Sequence, residues 1–165
     1  MRNTFLYFCT HILYTMKNHL NTLFEYEKWA NAKILEALSE LKETDENSLD
    51  IMTHILLVQM VWYSRISNLP DTPVWAKKTL AQCKDLYEVN NKVLAPFFAK
   101  LTDEFIENNV EYKNTKGNRY NNTVGQILTH QFNHSTYHRG QIVERMKGKL
   151  PAMPVTDLIA FMRMK

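Results

Sequence analysis

The sequence predicts an all-α protein, and within that class a four-helix bundle, on three observations. First, a chain of 165 residues that is 45% hydrophobic is long enough to bury one core and too short for two. Second, only four glycines occur, and glutamate, lysine and leucine fall in long unbroken stretches, the composition of helices rather than strands. Third, four separate segments repeat apolar residues at the three-and-four spacing of a helix that buries one stripe. Four such stripes are covered most economically by one another.

Met16 opens the first helix, in which Leu20, Leu23, Phe24, Ile34, Leu35, Leu38 and Leu41 make the stripe, and which ends near Lys42. The second is expected from Ser48 to Ser67, with Ile51, Ile55, Val58, Trp62, Ile66 and Leu69 along its periodic run. Pro70 and Pro73 stop it, because proline lacks an amide hydrogen and crowds the turn before it. The loop that follows is long enough for a crossing to a non-adjacent position. Helix three starts at about Thr79 and carries Leu80, Cys83, Leu86, Tyr87, Val93, Leu94, Phe97 and Leu101, with Pro96 expected to kink or shorten it. Between Asn109 and Asn122 a glycine-containing turn separates two short polar runs with tyrosines, the pattern of a small hairpin. Thr123 followed by Gln126 forms a capping-box pattern that starts helix four, which ends near Gly148. The proline-punctuated tail closes with a short helix capped by Thr156 or Asp157.

The net charge of +3 arises from 20 basic and 17 acidic residues with no block of either sign, which argues against a nucleic-acid footprint. Cys9 and Cys83 have neither disulfide nor metal spacing, so a reducing cytoplasm is the expected compartment. The apolar stretch in residues 1–15 is broken by Thr10 and His11, lacks a small-residue cleavage pattern and is too short to span a bilayer. Two domain segments are therefore expected: residues 1–15, a loose extension or the product of a start upstream of the true one at Met16, and the bundle over 16–165. Intact mass of the natively expressed protein decides between them.

The chemistry is concentrated in helix four. His130, His134 and His138 recur every four residues, so they stack along one side of that helix and any adjacent pair can chelate an ion. Two ligands do not make a stable site, and His54 is the other histidine embedded in a long apolar-periodic segment. At 100° per residue, His138 lies roughly 60°, His134 roughly 100° and His130 roughly 140° from the centre of the apolar stripe. The pair turned toward the bundle interior is thus His134 with His138, and His130 falls beside the ion. On helix two, His54 lies among Leu57, Val58 and Val61. A histidine in an amphipathic helix is ordinarily a hydrogen-bonded or half-exposed residue, so core histidines without metal remain the competing account. If an ion is held, neutral imidazoles suit zinc, nickel, iron or copper rather than calcium or magnesium.

His130 to His134 also reads H-Q-x-x-H, a zinc-protease pattern with Gln131 in place of the glutamate base, and so cannot act as one. Carboxylates are absent from the histidine run and around His54, which disfavours a bridged di-iron centre. Trp29, Trp62 and Tyr137 are pocket candidates, although aromatic residues at this spacing usually pack in cores. Arg139 and Gln141 either orient a ligand or bridge helices, and bridging is the expectation. Gly140 costs helix stability and so points to close helix approach or to room near the site.

These residues resemble the DinB family of helical metal-binding proteins, which is unrelated to the DNA polymerase sometimes given that name. HxxxHRGQ, here His134 to Gln141, carries the resemblance most strongly. His54, Trp62 and Arg65 support it on helix two, and Tyr26, Trp29, Ala30 and Asn31 on helix one. The resemblance spans nearly everything after Met16; Pro96 and residues 1–15 fall outside the pattern. It implies an up-down-down-up bundle, one divalent ion (zinc, nickel or iron) between helices two and four, and a homodimer. His54, His134 and His138 match its ligand positions. It further implies a metal-dependent S-transferase acting on a low-molecular-weight thiol and an electrophile. The alternatives are a non-catalytic metal-binding stress-response protein and a metal-dependent hydrolase. Small molecules rather than nucleic acid or membrane are the expected partners.

Overall fold

Four long helices carry the architecture: α1 (Met16–Glu40), α2 (Glu46–Ile66), α3 (Leu80–Ala99) and α5 (Val124–Met146). Two short helices, α4 (Asp103–Ile106) and α6 (Leu158–Met162), and an antiparallel hairpin of β1 (Asn109–Lys113) and β2 (Arg119–Thr123) complete it. The computed structural model describes residues 15–43, 45–70, 72–114 and 116–164. The expectations for the first fourteen residues lie outside them.

Local chemistry fixes the helix ends. Thr15, Asp45, Thr79 and Thr123 cap α1, α2, α3 and α5, each accepting a backbone N–H with its side-chain oxygen. At Thr79 and Thr123 the glutamine three residues on returns the bond, so the capping box expected at Thr123 is present and α3 has one as well. Helix two stops before its prolines. Asn68 takes a left-handed φ of 54°, its N–H bonds to the Arg65 carbonyl, and the Leu69 N–H reaches the Ser64 carbonyl at 2.8 Å. This is a Schellman turn with asparagine in place of glycine, and Pro70 only follows it. Helix three runs past Pro96 to Ala99. Pro96 and Lys92, whose carbonyl the ring deprives of a donor, are both exposed, where water can serve instead.

Side-chain pairings give the helix directions. Cys83 meets Thr53 and Asn90 meets Gln59, so α2 and α3 are parallel. His54 meets His138 while Trp62 meets His130, so α2 and α5 are antiparallel. Phe24 stacks on Phe98 at 4.2 Å, while Ile34 and Leu38 share a cluster with Cys83, so α1 opposes α3. In the same way α1 runs with α5, Leu20 sharing a cluster with Val124 and Leu38 with Met146. The order is the up-down-down-up expected from the family resemblance.

The core has two apolar halves. One runs from Leu20 to Ala30 on α1 with Phe98, Phe132 and Phe161, and the other from Ile34 to Leu38 with Met52, Ile55, Ile142 and Met146. Between them lies a buried polar layer of Glu27, Asn31, Gln59, Asn90, Gln131 and Arg139. No helix among the described residues is long and apolar enough to cross a membrane.

Candidate metal centre

The antiparallel contact of α2 with α5 brings His54, His134 and His138 together. Their ligand atoms all lie within 4.8 Å of one another. His134 Nε2 is 3.2 Å from His54 Nε2 and 3.1 Å from His138 Nε2. Nitrogens placed tetrahedrally at about 2.0–2.1 Å from zinc stand about 3.3–3.4 Å apart, and the two separations about His134 are close to that.

The outer face of two rings is fixed. His54 Nδ1 donates to the Val74 carbonyl at 2.7 Å, and His138 Nδ1 donates to Gln141 Oε1 at 2.7 Å. Because carbonyl oxygens only accept, both rings carry their proton on Nδ1 and present an Nε2 lone pair inward. Three converging Nε2 atoms then have at most one proton among them when neutral, a donor-poor cluster that a cation satisfies. His134 Nδ1 is buried without a partner. Desolvation holds the His54 imidazole below its ordinary pKa. Desolvation, reinforced by repulsion from His138, His54 and His130, lowers His134 from 6.5 to about 4. Both are therefore neutral ligands at neutral pH.

The α2–α3 loop covers one side. Besides the Val74 carbonyl it supplies Trp75, whose ring stacks on His54 at 3.9 Å and 10°. His130, the third member of the stack, stays out of the ligand cluster. It is exposed, 5.8 Å from the His134 ring, and edge-on to Trp62 at 5.5 Å. Next to the cluster opens a cavity of about 680 Å3, lined by His54, His134 and His130 and reaching along α2 through Val58, Val61 and Trp62 to Arg65 and the hairpin.

Of the other candidates, Trp29 and Arg139 take the expected structural roles and Trp62 and Gln141 do not. Trp62 lines the cavity, Trp29 packs on Tyr26 and Phe161 in the core, and Tyr137 is 65% exposed with its ring edge-on to His138. Gln141 does not bridge helices: it orients His138. Arg139 does bridge them, through a buried 2.6 Å ion pair with Glu27 and a 3.0 Å bond to Asn31 on α1. A Cβ on Gly140 would meet nothing within 4 Å, so within the chain that glycine accommodates no neighbour. The close approach is at Gly125, where a Cβ would lie 2.8 Å from Ile106 Cγ2. Trp75, Tyr112 and Glu27 escaped sequence reasoning. Tyr112 and Trp75 reach the site from a hairpin and a loop without helical phase, and Glu27 reads as an ordinary polar position.

The description of the family model that matches residues 16–164 is DinB family. The Protein DinB of Bacillus subtilis (strain 168) is 26% identical over 157 residues, covering 82% of this chain and 88% of that protein. No solved structure matches.

Proposed function

Because the chain belongs to the DinB family, we propose that His54, His134 and His138 hold one divalent transition metal ion, zinc, nickel or iron, for transfer of a low-molecular-weight thiol to an electrophile. The observation that carries this reading is the convergence of three Nε2 atoms beside an open cavity, two of them fixed in tautomer by Val74 and Gln141. A divalent ion held there would supply Lewis acidity, letting a coordinating thiol lose its proton near neutral pH.

The chain's own residues supply placement. Val74 and Gln141 hold the imidazoles in the ligating orientation, as outer hydrogen bonds to metal-bound histidines commonly do. Trp75 shields one face of His54 from water. The apolar side chains of Val58, Val61 and Ile127 form a wall along which an organic electrophile can lie. In the transfer the thiol S–H bond breaks, its proton passes to solvent, the sulfur forms a bond to the electrophilic carbon, and the leaving group departs with its electron pair. No carboxylate among the described residues joins the histidine group, so the nucleophile is made without a protein base. Three protein donors rather than four favour open coordination over a closed structural site, and so favour catalysis over a purely structural ion.

The test is conjugation of monochlorobimane to bacillithiol, mycothiol, glutathione or cysteine by zinc- or nickel-loaded protein. A rate above that of the metal-stripped protein with at least one thiol is expected. Equal rates with all four contradict the transferase reading.

A further inference from the structure

Three side-chain amides line the cavity: Asn114 from the hairpin turn, Asn122 from β2 and Gln126 from α5. All three are turned the same way. Backbone N–H groups can only donate, so the side-chain atom that each one meets is an oxygen. Gln126 Oε1 accepts from the Thr123 amide at 3.1 Å. Asn114 Oδ1 accepts from the amides of Lys116 at 3.0 Å and Asn118 at 2.9 Å. The orientation is relayed to Asn122. Because the Gln126 atom is oxygen, the Asn122 atom 3.1 Å from it is Nδ2, and Asn122 Oδ1 is left to accept the Tyr112 hydroxyl at 2.9 Å.

The oxygen of every amide in this wall is thus engaged, and what remains is N–H. Among the described residues, Gln126 and Asn114 keep both hydrogens of their amide nitrogens and Asn122 keeps one. No carboxylate among the described residues lines the cavity to answer them. A wall of donors discriminates by polarity: an oxygen that carries no hydrogen is accepted, whereas a ligand donor meets another donor and loses its own water for nothing. Gln126 stands eight residues before His134, roughly 12 Å along the helix axis. One ligand can therefore span the wall and the histidines, with its middle along Val58, Val61 and Ile127.

We propose that Asn114, Asn122 and Gln126 form a carbonyl subsite. It takes the acceptor-only oxygen of an amide or ester on a ligand whose thiol reaches the three histidines. Which end of the ligand meets the histidines rests on the thiol-transfer reading, and the polarity of the wall does not. Gln126→Glu is the discriminating change. A glutamate carboxylate preserves the capping box and can still accept from Thr123 and Asn122, but it replaces the free N–H pair with a second acceptor oxygen.

The experiment is calorimetric titration of zinc-loaded protein with 8-mercapto-N,N-dimethyloctanamide and octane-1-thiol, which share thiol and chain and differ in the carbonyl. Gln126→Glu should weaken the amide about tenfold, the size of one lost hydrogen bond, and leave octane-1-thiol within about twofold. Asn114→Asp, which keeps the oxygen that Lys116 and Asn118 bond, should act in the same direction without touching the cap of α5. Amide binding that is unchanged in either variant, equal losses for the two probes, or no binding of the amide to wild type overturns the subsite. In a His134→Ala, His138→Ala background both probes should weaken while the effect of Gln126→Glu is kept. If that effect stands but neither probe weakens, the thiol–metal reading fails and the carbonyl subsite survives it.

Discussion

At the residue scale, the site depends on groups that fix a ring rather than touch a ligand. Gln141 Oε1 holds His138 by its Nδ1 proton at 2.7 Å. Losing such an outer partner typically costs 10–100-fold in metal affinity. Gln141→Leu should therefore weaken zinc binding by about that factor in competition with a chromophoric chelator; an unchanged affinity would mean that the bond does not orient the ligand. Asp45 is a second residue with more than one task. It caps α2, accepting from the Ser48 amide and hydroxyl, and pairs with Arg145 at the end of α5 at 2.9 Å. The bond from Arg145 is the main reason its carboxyl falls from 3.8 to about 2. A carboxylate lowered on folding stabilises fully above its unfolded pKa, and that contribution is lost as pH falls through the folded value. The urea midpoint of wild type should therefore drop more steeply between pH 4 and pH 2 than that of Asp45→Asn, and parallel curves would count against the pairing.

At the element scale, α5 carries the histidines and two glycines of opposite meaning. Gly125 packs against Ile106, and a Cβ there would come within 2.8 Å of Cγ2. Gly140 is exposed, with nothing within 4 Å of the corresponding position. Gly125→Ala should destabilise by about 1–3 kcal/mol through overpacking, whereas Gly140→Ala should stabilise by up to about 1 kcal/mol through helix propensity. Thermal unfolding of the two variants checks the signs, and matching signs would show that the packing of α5 has been misjudged. Much at this scale was legible in the sequence. The four-residue histidine repeat, the Thr123–Gln126 box and the apolar stripes specify a helix and the side it buries, because helical phase is a property of spacing alone. Other features were not legible. The Schellman stop at Asn68 depends on a left-handed φ that asparagine tolerates but does not announce. The short α4 is a single capped turn, too brief for periodicity to reveal.

At the scale of the whole molecule, the histidine cluster sits at the level of a polar layer that divides the core. Glu27 Oε2 accepts from Arg139 at 2.6 Å, and its Oε1 accepts from Gln59 at 2.9 Å and from Asn31 at 3.3 Å. Asn90 extends the layer to α3 through Gln59 at 3.0 Å. All four long helices thus meet in one buried network anchored by the residue next to His138. Removing one member of a buried ion pair strands the other, at about 3–5 kcal/mol, whereas replacing both by apolar groups costs far less. Arg139→Met should accordingly unfold at much lower urea than the Glu27→Leu, Arg139→Met double variant; equal losses would indicate that the pair is not a unit. Arg139 was legible as a helix bridge, but its partner was not. Nothing local to Glu27 marks it as buried, and the pairing exists only once α1 and α5 lie side by side. The cavity was hidden for the same reason, since Trp75 and Tyr112 arrive from a loop and a hairpin.

The central claim is that His54, His134 and His138 form one metal centre. Its most direct test is elemental mass spectrometry of purified wild type against the His134→Ala, His138→Ala variant, both supplied with zinc and with nickel. The geometry predicts close to one ion per chain in wild type and its loss in the variant. A wild type that takes up neither ion, or a variant that keeps its full metal content, would contradict it.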